Sequence, residues 1–315
     1  MKNRLSFRWF IPVILILFIG ILYAFTWKQS PSTIVNENAD VATNNYWDQG
    51  DAEISRYSLS QNRYKEYHPG EVVMIFVKED FLTKKQVKNE TYTDENSTPV
   101  LKNIQSKKFT TGIYDYHLST NTFTAFDQQA FPGSIKVQHV SSEWCGTSYV
   151  QLNHKKDVYE VGLRSYFEQE GDQNFNIKDH LLEDEIFNLI RLNPEILSDR
   201  TYEVIPSMEY SRLMHKPIAQ MSAEIKTSIV ENDEFAQGAM RCEITFSEAN
   251  RVKTIYYKNE HPHTILGWDD SFPSIGDGRM RTTKARLTHS VREPYWQFNA
   301  ANDVSKRQSL GLSNY

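Results

Sequence analysis

Apolar and polar residues alternate with period two along most of the chain. From Ala219 to Ile229 the odd positions read Ala, Met, Ala, Ile, Thr, Ile, and the even ones Gln, Ser, Glu, Lys, Ser. Met240, Cys242, Ile244 and Phe246 alternate with Arg241, Glu243 and Thr245. Tyr159, Val161, Leu163 and Phe167 stand opposite Glu160, Arg164 and Glu168, and Thr283, Ala285, Leu287, His289 and Val291 repeat the pattern late in the chain. Each run predicts a strand with one buried and one wet face, which points to antiparallel sheet, because strands of parallel sheets are covered on both sides. Ser119-Thr120-Asn121 and Ser247-Glu248-Ala249-Asn250 have hairpin length. Val72 to Val77 is apolar on both faces and belongs in the middle of the structure, whereas the polar segment Lys78 to Lys108 reads as a long surface loop with a short strand at most.

One helix interrupts this pattern. His180 to Asn193 places Leu182, Ile186, Leu189 and Ile190 on one side, with Asp179, Glu183, Asp184 and Glu185 in the first turns, where the helix dipole favours acids. Pro194 stops it. Long consecutive amphipathic strands twist and curl, so the expected fold is mainly β. It is a strongly curved antiparallel sheet, half-open and barrel-like, with this helix over its open mouth.

The N-terminus follows a different rule. Trp9 to Trp27 contains no charge, and Trp9 to Phe25 is about 26 Å long as a helix, the short end of what crosses a bilayer. Lys2, Arg4 and Arg8 precede it, which puts the N-terminus in the cytoplasm. No Cys occurs before Cys145, so a lipoprotein signal is excluded. The run is longer than the ~7–15-residue core of a signal peptide, which favours a retained anchor over cleavage near Ala24. The expected order is cytoplasmic residues 1–8, a transmembrane anchor at 9–27, a polar tether at 28–45, a β domain at 46–304 and a flexible tail at 305–315. The expected location is a bacterial inner membrane, with the domain in the periplasm; secretion after cleavage is the alternative.

Composition narrows the function class. The 315 residues are 39% hydrophobic and 13% aromatic, enough to bury a core, and two Cys exclude a disulfide scaffold. The formal charge is −5. With the three basic residues ahead of the anchor set aside, 32 Lys and Arg face all 40 Asp and Glu, a net of −8. An acidic body argues against nucleic acid as a partner and against adhesion to anionic lipid.

Among candidates for chemistry, Cys145 in EWCGT stands out. A nucleophilic Cys needs a lowered pKa and a base, for which His139 or His154 are available. The competing readings are a buried strand cysteine or half of a Cys145–Cys242 disulfide. His261-Pro262-His263, with Asp269 and Asp270 nearby, has the residue types of a metal site without the usual spacing, and reads better as solvated loop histidines. Glu168, Glu170 and Asp172 form an acidic run beside a Gly171 turn, and Gly276-Asp277-Gly278 is a second turn. Aromatic residues carry more information. Tyr46, Trp47, Trp144, Tyr166 and Trp268 combine apolar bodies with polar tips and are the candidate lining of a groove, with core filling as the alternative.

Five segments, YWDQGDAEISRYSLSQNRY (46–64), KEDFLTKKQVK (78–88), EWCGTSYVQLN (143–153), SYFEQEGDQ (165–173) and IPSMEYSRLMH (205–215), resemble a family of membrane-anchored bacterial envelope proteins. The resemblance runs from Tyr46 to about Val304 and implies no particular activity. Members are often labelled septum formation inhibitor Maf. The Maf pyrophosphatase motif, S-x-S-P-R-R, is missing here: Ser30-Pro31 is followed by Ser32 and Thr33. The expected function is therefore a non-enzymatic envelope module that binds an apolar ligand, a lipid for example, or a partner protein, without a cofactor. The alternative is a thiol-dependent or acid–base hydrolase centred on Cys145 and His139.

Overall fold

The computed structural model of the chain describes residues 46–230, 234–309 and 311–312. The expected cytoplasmic stretch, anchor and tether lie outside these residues. The chain divides into two compact units, 1–41 and 42–315, and every described residue belongs to the second. Among the described residues no helix is long and apolar enough to cross a membrane.

The fold is mainly β, with one large and mostly antiparallel sheet. Its strands are β1 (Ala52–Arg63), β2 (Glu66–Leu82), β3 (Val87–Lys88), β4 (Ser97–Thr111), β5 (Tyr114–Ala125), β6 (Ser134–Glu143), β7 (Gly146–Lys155) and β8 (Val158–Ser165). The chain continues through β9 (Gln173–Lys178), β10 (Leu181–Leu182), β11 (Arg200–Ile205), β12 (Met221–Ile229), β13 (Met240–Phe246), β14 (Arg251–Tyr257), β15 (Ile265–Pro273) and β16 (Met280–Glu293). The spatial order is β10-β11-β12-β13-β14-β15-β16-β1-β2-β4-β5-β6-β7-β8-β9, with β3 as a side pairing on β2. Two meanders are thus joined at β1–β16, where Ala52 faces Glu293 and Ser60 faces Lys284. The two edge strands, β9 and β10, are consecutive in the chain, with only Asp179 and His180 between them.

Both meanders bury their apolar faces in one core. Met74, Phe76, Leu101 and Phe109 from one arm share a cluster with Ile225, Ile244, Ile255 and Trp268 from the other. Between them lies α1 (Ile186–Leu192), entered through a 3-10 turn at Glu183–Glu185. Seven residues are too few for a stable isolated helix. Burial of Ile186, Phe187, Leu189 and Ile190 holds it, at about 1.5–3 kcal/mol each relative to exposure. Two further short helices are α2 (Met208–Leu213) and α3 (Lys306–Ser309).

Several expectations need correction. The helix is shorter than 180–193, with Ile186 to Arg191 all buried, and it lies within the core. The 78–108 segment holds the end of β2, the short β3 and most of β4, a 15-residue strand. Its alternation is hidden in the sequence because the buried side includes Asn103 and Lys107 beside Leu101 and Phe109. Ser119-Thr120-Asn121 lies inside β5 and turns no corner. Ser247–Asn250 does connect β13 to β14, with Asn250 left-handed at φ 49°. Residues 301–309, which run from the end of the expected domain into the expected tail at 305–315, form short helical turns.

Candidate functional site

Three consecutive acids, Glu183, Asp184 and Glu185, are buried. Glu183 accepts from Arg251 Nη1 and Nη2 at 2.7 and 2.6 Å, from Lys253 Nζ at 2.8 Å and from the Ser207 backbone N–H at 2.9 Å. Arg251 also donates through Nε and Nη2 to Asp270, at 2.8 Å each. Burial pushes the Glu183 carboxyl up, yet the charges of Arg251 and Lys253 win and hold it well below the ordinary range. Asp184 and Glu185 accept from backbone amides instead, and only Asp184 feels Lys253, as a minor effect. Asp184 accepts from the Met208 N–H at 2.9 Å, and Glu185 from the N–H groups of Leu182 and Ser134. Burial dominates for both and pushes each up to about 7. A cavity of about 30 Å³ lies among Lys107, Asp184, Glu209, Lys253 and Asp270. It has room for about one water and none for a substrate. Glu183 and Asp184 bind the Ser207 and Met208 amides at the start of α2, which fixes the segment that builds the neighbouring cleft.

That cleft lies between the inner side of β6–β9 and the turn containing α2. Ser207 caps α2 by accepting from the Tyr210 N–H at 3.2 Å, and His215, left-handed at φ 51°, turns the chain out of it. The result is a cavity of about 440 Å³. Val150, Leu163, Phe175, Met208 and Ile218 are among its apolar lining residues, and His139, Ser148, Glu170, Arg212 and His215 among its polar ones, with His139 on the same rung of the sheet as Val150 and Leu163. Arg212 is anchored on three sides. Its guanidinium lies 3.9 Å over the Phe167 ring, Nη2 donates to Glu143 at 3.0 Å, and Nη1 stands 3.5 Å from Glu170. Glu170 also meets His215 Nδ1 at 3.0 Å and accepts from Ser165 Oγ at 2.6 Å. His139 is buried, with Nδ1 2.9 Å from Thr120 Oγ1, and burial pushes it down to about 4, so its ring is neutral.

The residues singled out from sequence fall in three places. Trp47 and Trp268 are in the core, 2% and 4% exposed. Half-buried Tyr46 packs on Trp47 and donates to Glu53 at 2.6 Å. Trp144 and Tyr166 are 69% and 79% exposed, on the β6–β7 and β8–β9 turns. The five aromatics therefore do not line one groove. Cys145 is exposed in the β6–β7 turn, and the negative charge of Glu143 pushes its thiol up, away from a thiolate. His139 lies four residues before the end of β6, about 13 Å of strand away from the turn. Cys242 is a free, buried cysteine of β13, pushed up to about 12 by burial. His261 and His263 sit in the β14–β15 connection, where Pro262 O accepts from Arg191 Nε at 2.7 Å. Asp269 and Asp270 bond different partners, Arg286 and Arg251. Among the described residues no group of three or more His, Cys, Asp or Glu is placed to hold a metal.

Sequence reasoning missed Arg212, His215 and the buried charges. An arginine in a short amphipathic helix carries no signal of burial. Two of the cavity's lining residues stand out in the sequence: Glu170, from an acidic run, which meets Arg212 and His215, and His139, the candidate base. Compared with known protein families, curated proteins and solved structures, the chain matches none.

Proposed function

We propose that the domain is a non-enzymatic binding module that takes an apolar ligand in the cavity between β6–β9 and α2. The supporting observation is the cavity itself. At about 440 Å³ it falls within the range of small-molecule sites and has their make-up, an apolar wall with a few convergent polar groups. A thiol-dependent reaction has less support, since Cys145 is exposed and its thiol is pushed up. In this reading residues 9–27 hold the module at a bacterial inner membrane, with the domain on the periplasmic side.

We also read the sheet as strongly curled and half-open. Fifteen flat strands at about 4.8 Å spacing would hold their edges roughly 65–70 Å apart. Three chain steps from Lys178 to Leu181 span at most about 11 Å. A curled sheet satisfies both numbers, and the cavity then lies close to the seam between the edge strands.

A second reading, docking of an envelope protein partner, rests on Ile113, Trp144 and Tyr166. They are 83%, 69% and 79% exposed on three alternate hairpins, β4–β5, β6–β7 and β8–β9, which a meander places at one end.

The test is titration of the full-length chain, held in amphipol, with the apolar dye N-phenylnaphthylamine. One dye per chain is expected, with binding weakened about tenfold or more by Leu163→Trp, which fills the cavity, and unchanged by Cys145→Ser. Failure of the wild-type chain to bind, or indifference to the filled cavity, overturns the ligand reading.

A further inference from the structure

The turns at one end of the first arm break the usual chemistry of hairpins. Two-residue turns in water favour polar pairs such as Asn-Gly or Asp-Gly, and the β7–β8 turn, Lys156-Asp157, is charged and exposed. At the opposite end of the same strands the β4–β5 turn is Gly112-Ile113, the β6–β7 turn is Trp144-Cys145, and the β8–β9 connection opens on Tyr166-Phe167. None of these six residues is charged. Ile113, Trp144 and Tyr166 are the three most exposed large apolar side chains among the described residues. They belong to one surface. The Trp144 ring stands 6.5 Å from that of Tyr114, whose hydroxyl meets the Tyr64 hydroxyl of the β1–β2 turn at 2.9 Å. Tyr166 lies on Gly146, where a Cβ would stand 2.7 Å from its Cδ1. Successive turns are two strands apart, about 10 Å at ordinary strand spacing, so the tips project in a row. The row borders the cavity: Gln169, an exposed lining residue, is in the connection that carries Tyr166, and Gln173, another, opens β9.

We propose that this end of the first arm docks on a lipid bilayer, with Ile113, Trp144 and Tyr166 inserted among the headgroups and upper acyl chains. An exposed apolar patch of this kind marks an interaction site, and Trp and Tyr favour the bilayer boundary because ring and polar tip are satisfied there together. Protein interfaces centre on residues held in well-packed, desolvated pockets, whereas a row of projecting, uncharged tips fits a soft apolar layer. Lys65, Glu168 and Asp172, exposed beside the tips, keep entry shallow. The length of chain ahead of the domain permits this docking. β1 begins at the end opposite these turns, and its 12 residues are about 40 Å long. Residues 28–45 span at most about 60–65 Å, so an anchor at 9–27 does not hold the tips away from the bilayer. The docking does not depend on the ligand reading. Taken with that reading, it sets the cavity beside the lipid surface, and an acyl chain enters without crossing water.

The test attaches the fluorophore NBD to Cys145, which is exposed, whereas Cys242 is buried. The labelled full-length chain is reconstituted in phosphatidylcholine vesicles whose lipid carries a doxyl quencher either high on the acyl chain or near its end. Doxyl quenching needs near contact, so mere proximity of the domain to the bilayer does not produce it. Tips buried about 5–10 Å into the boundary place the label beside the high quencher, where a loss of about half the emission is expected, and away from the deep one. Combined Ile113→Ser, Trp144→Ser and Tyr166→Ser are expected to abolish the loss, and Ile113→Leu with Trp144→Phe to retain it. These side chains are exposed, so dye binding by the serine variant in amphipol is expected to match wild type. Equal emission in quencher-bearing and plain vesicles, or quenching that survives the serine variant, overturns the docking. A blue shift that grows with protein concentration in amphipol, without quenching in vesicles, overturns it and assigns the surface to a second copy. Shielding of the label from aqueous iodide in native membranes, but not in vesicles of their extracted lipid, overturns it in favour of a protein partner. Quenching by the high doxyl in a chain that binds no dye supports the docking and overturns the ligand reading alone.

Discussion

Glu183 and its two neighbours show how one burial can have opposite outcomes. Asp184 and Glu185 titrate near 7 in the fold and near 4 when unfolded, so the native state holds protons that the unfolded chain has lost. Their contribution is whole below the ordinary carboxylate range and disappears as pH rises through about 7. His139 acts in the opposite sense between about 4 and 6.5, so the measurement is a comparison with the double variant Asp184→Asn, Glu185→Gln. From pH 5 to pH 8 the wild type should lose urea stability relative to that variant, by on the order of a few kcal/mol. Parallel curves would show that these carboxyls are already ionised at the lower pH. Glu183 depends on its partner. Arg251→Met, which leaves a buried carboxylate with Lys253 alone, is expected to cost about 3–5 kcal/mol in urea unfolding. Lys226→Ala, in the exposed pair with Glu224, should change nothing measurable. None of this is readable from Glu183-Asp184-Glu185 as letters, because first-turn acids look the same whether they face water or an arginine.

At the level of elements, the legible strands were those whose inner face is uniformly apolar. β13 and β16 announce themselves through Cys242, Ile244, Ala285 and Leu287, and Val72–Val77 marks β2, which lies one place from the centre of the sheet order. β4 and β5 do not, since Asn103, Lys107, Thr120 and Thr122 occupy inner positions, the last three as partners of the buried polar groups. The β2–β4 pairing has one position where only glycine fits. A Cβ at Gly70 would stand 2.3 Å from the Lys108 carbonyl oxygen and 2.8 Å from Phe109 Cβ. Gly70→Ala should lower stability by about 1–3 kcal/mol. Gly162→Ala, whose Cβ would meet nothing nearer than 3.7 Å, should stay within about 0.5 kcal/mol of wild type in the same denaturant curves.

Across the described domain, the sequence predicted a mainly antiparallel sheet with a packed helix. It did not reveal that the first and last long strands form the joint between the arms, since strand pairing across more than two hundred residues leaves no local mark. That joint makes the arms interdependent. Deleting residues 280–315 removes β16 and parts β1 from β15. Limited proteolysis of that truncation is expected to yield no resistant core, and a stable fragment covering β1 to β9 would refute the dependence. The joint also sets a timetable for biosynthesis. At about 5–20 residues per second, translation of the roughly 230 residues that follow β1 takes some 10–50 s. Throughout that interval Ala52–Arg63 has one edge satisfied by β2 and the other bare, a sticky margin that invites the attention of chaperones until the last strand arrives.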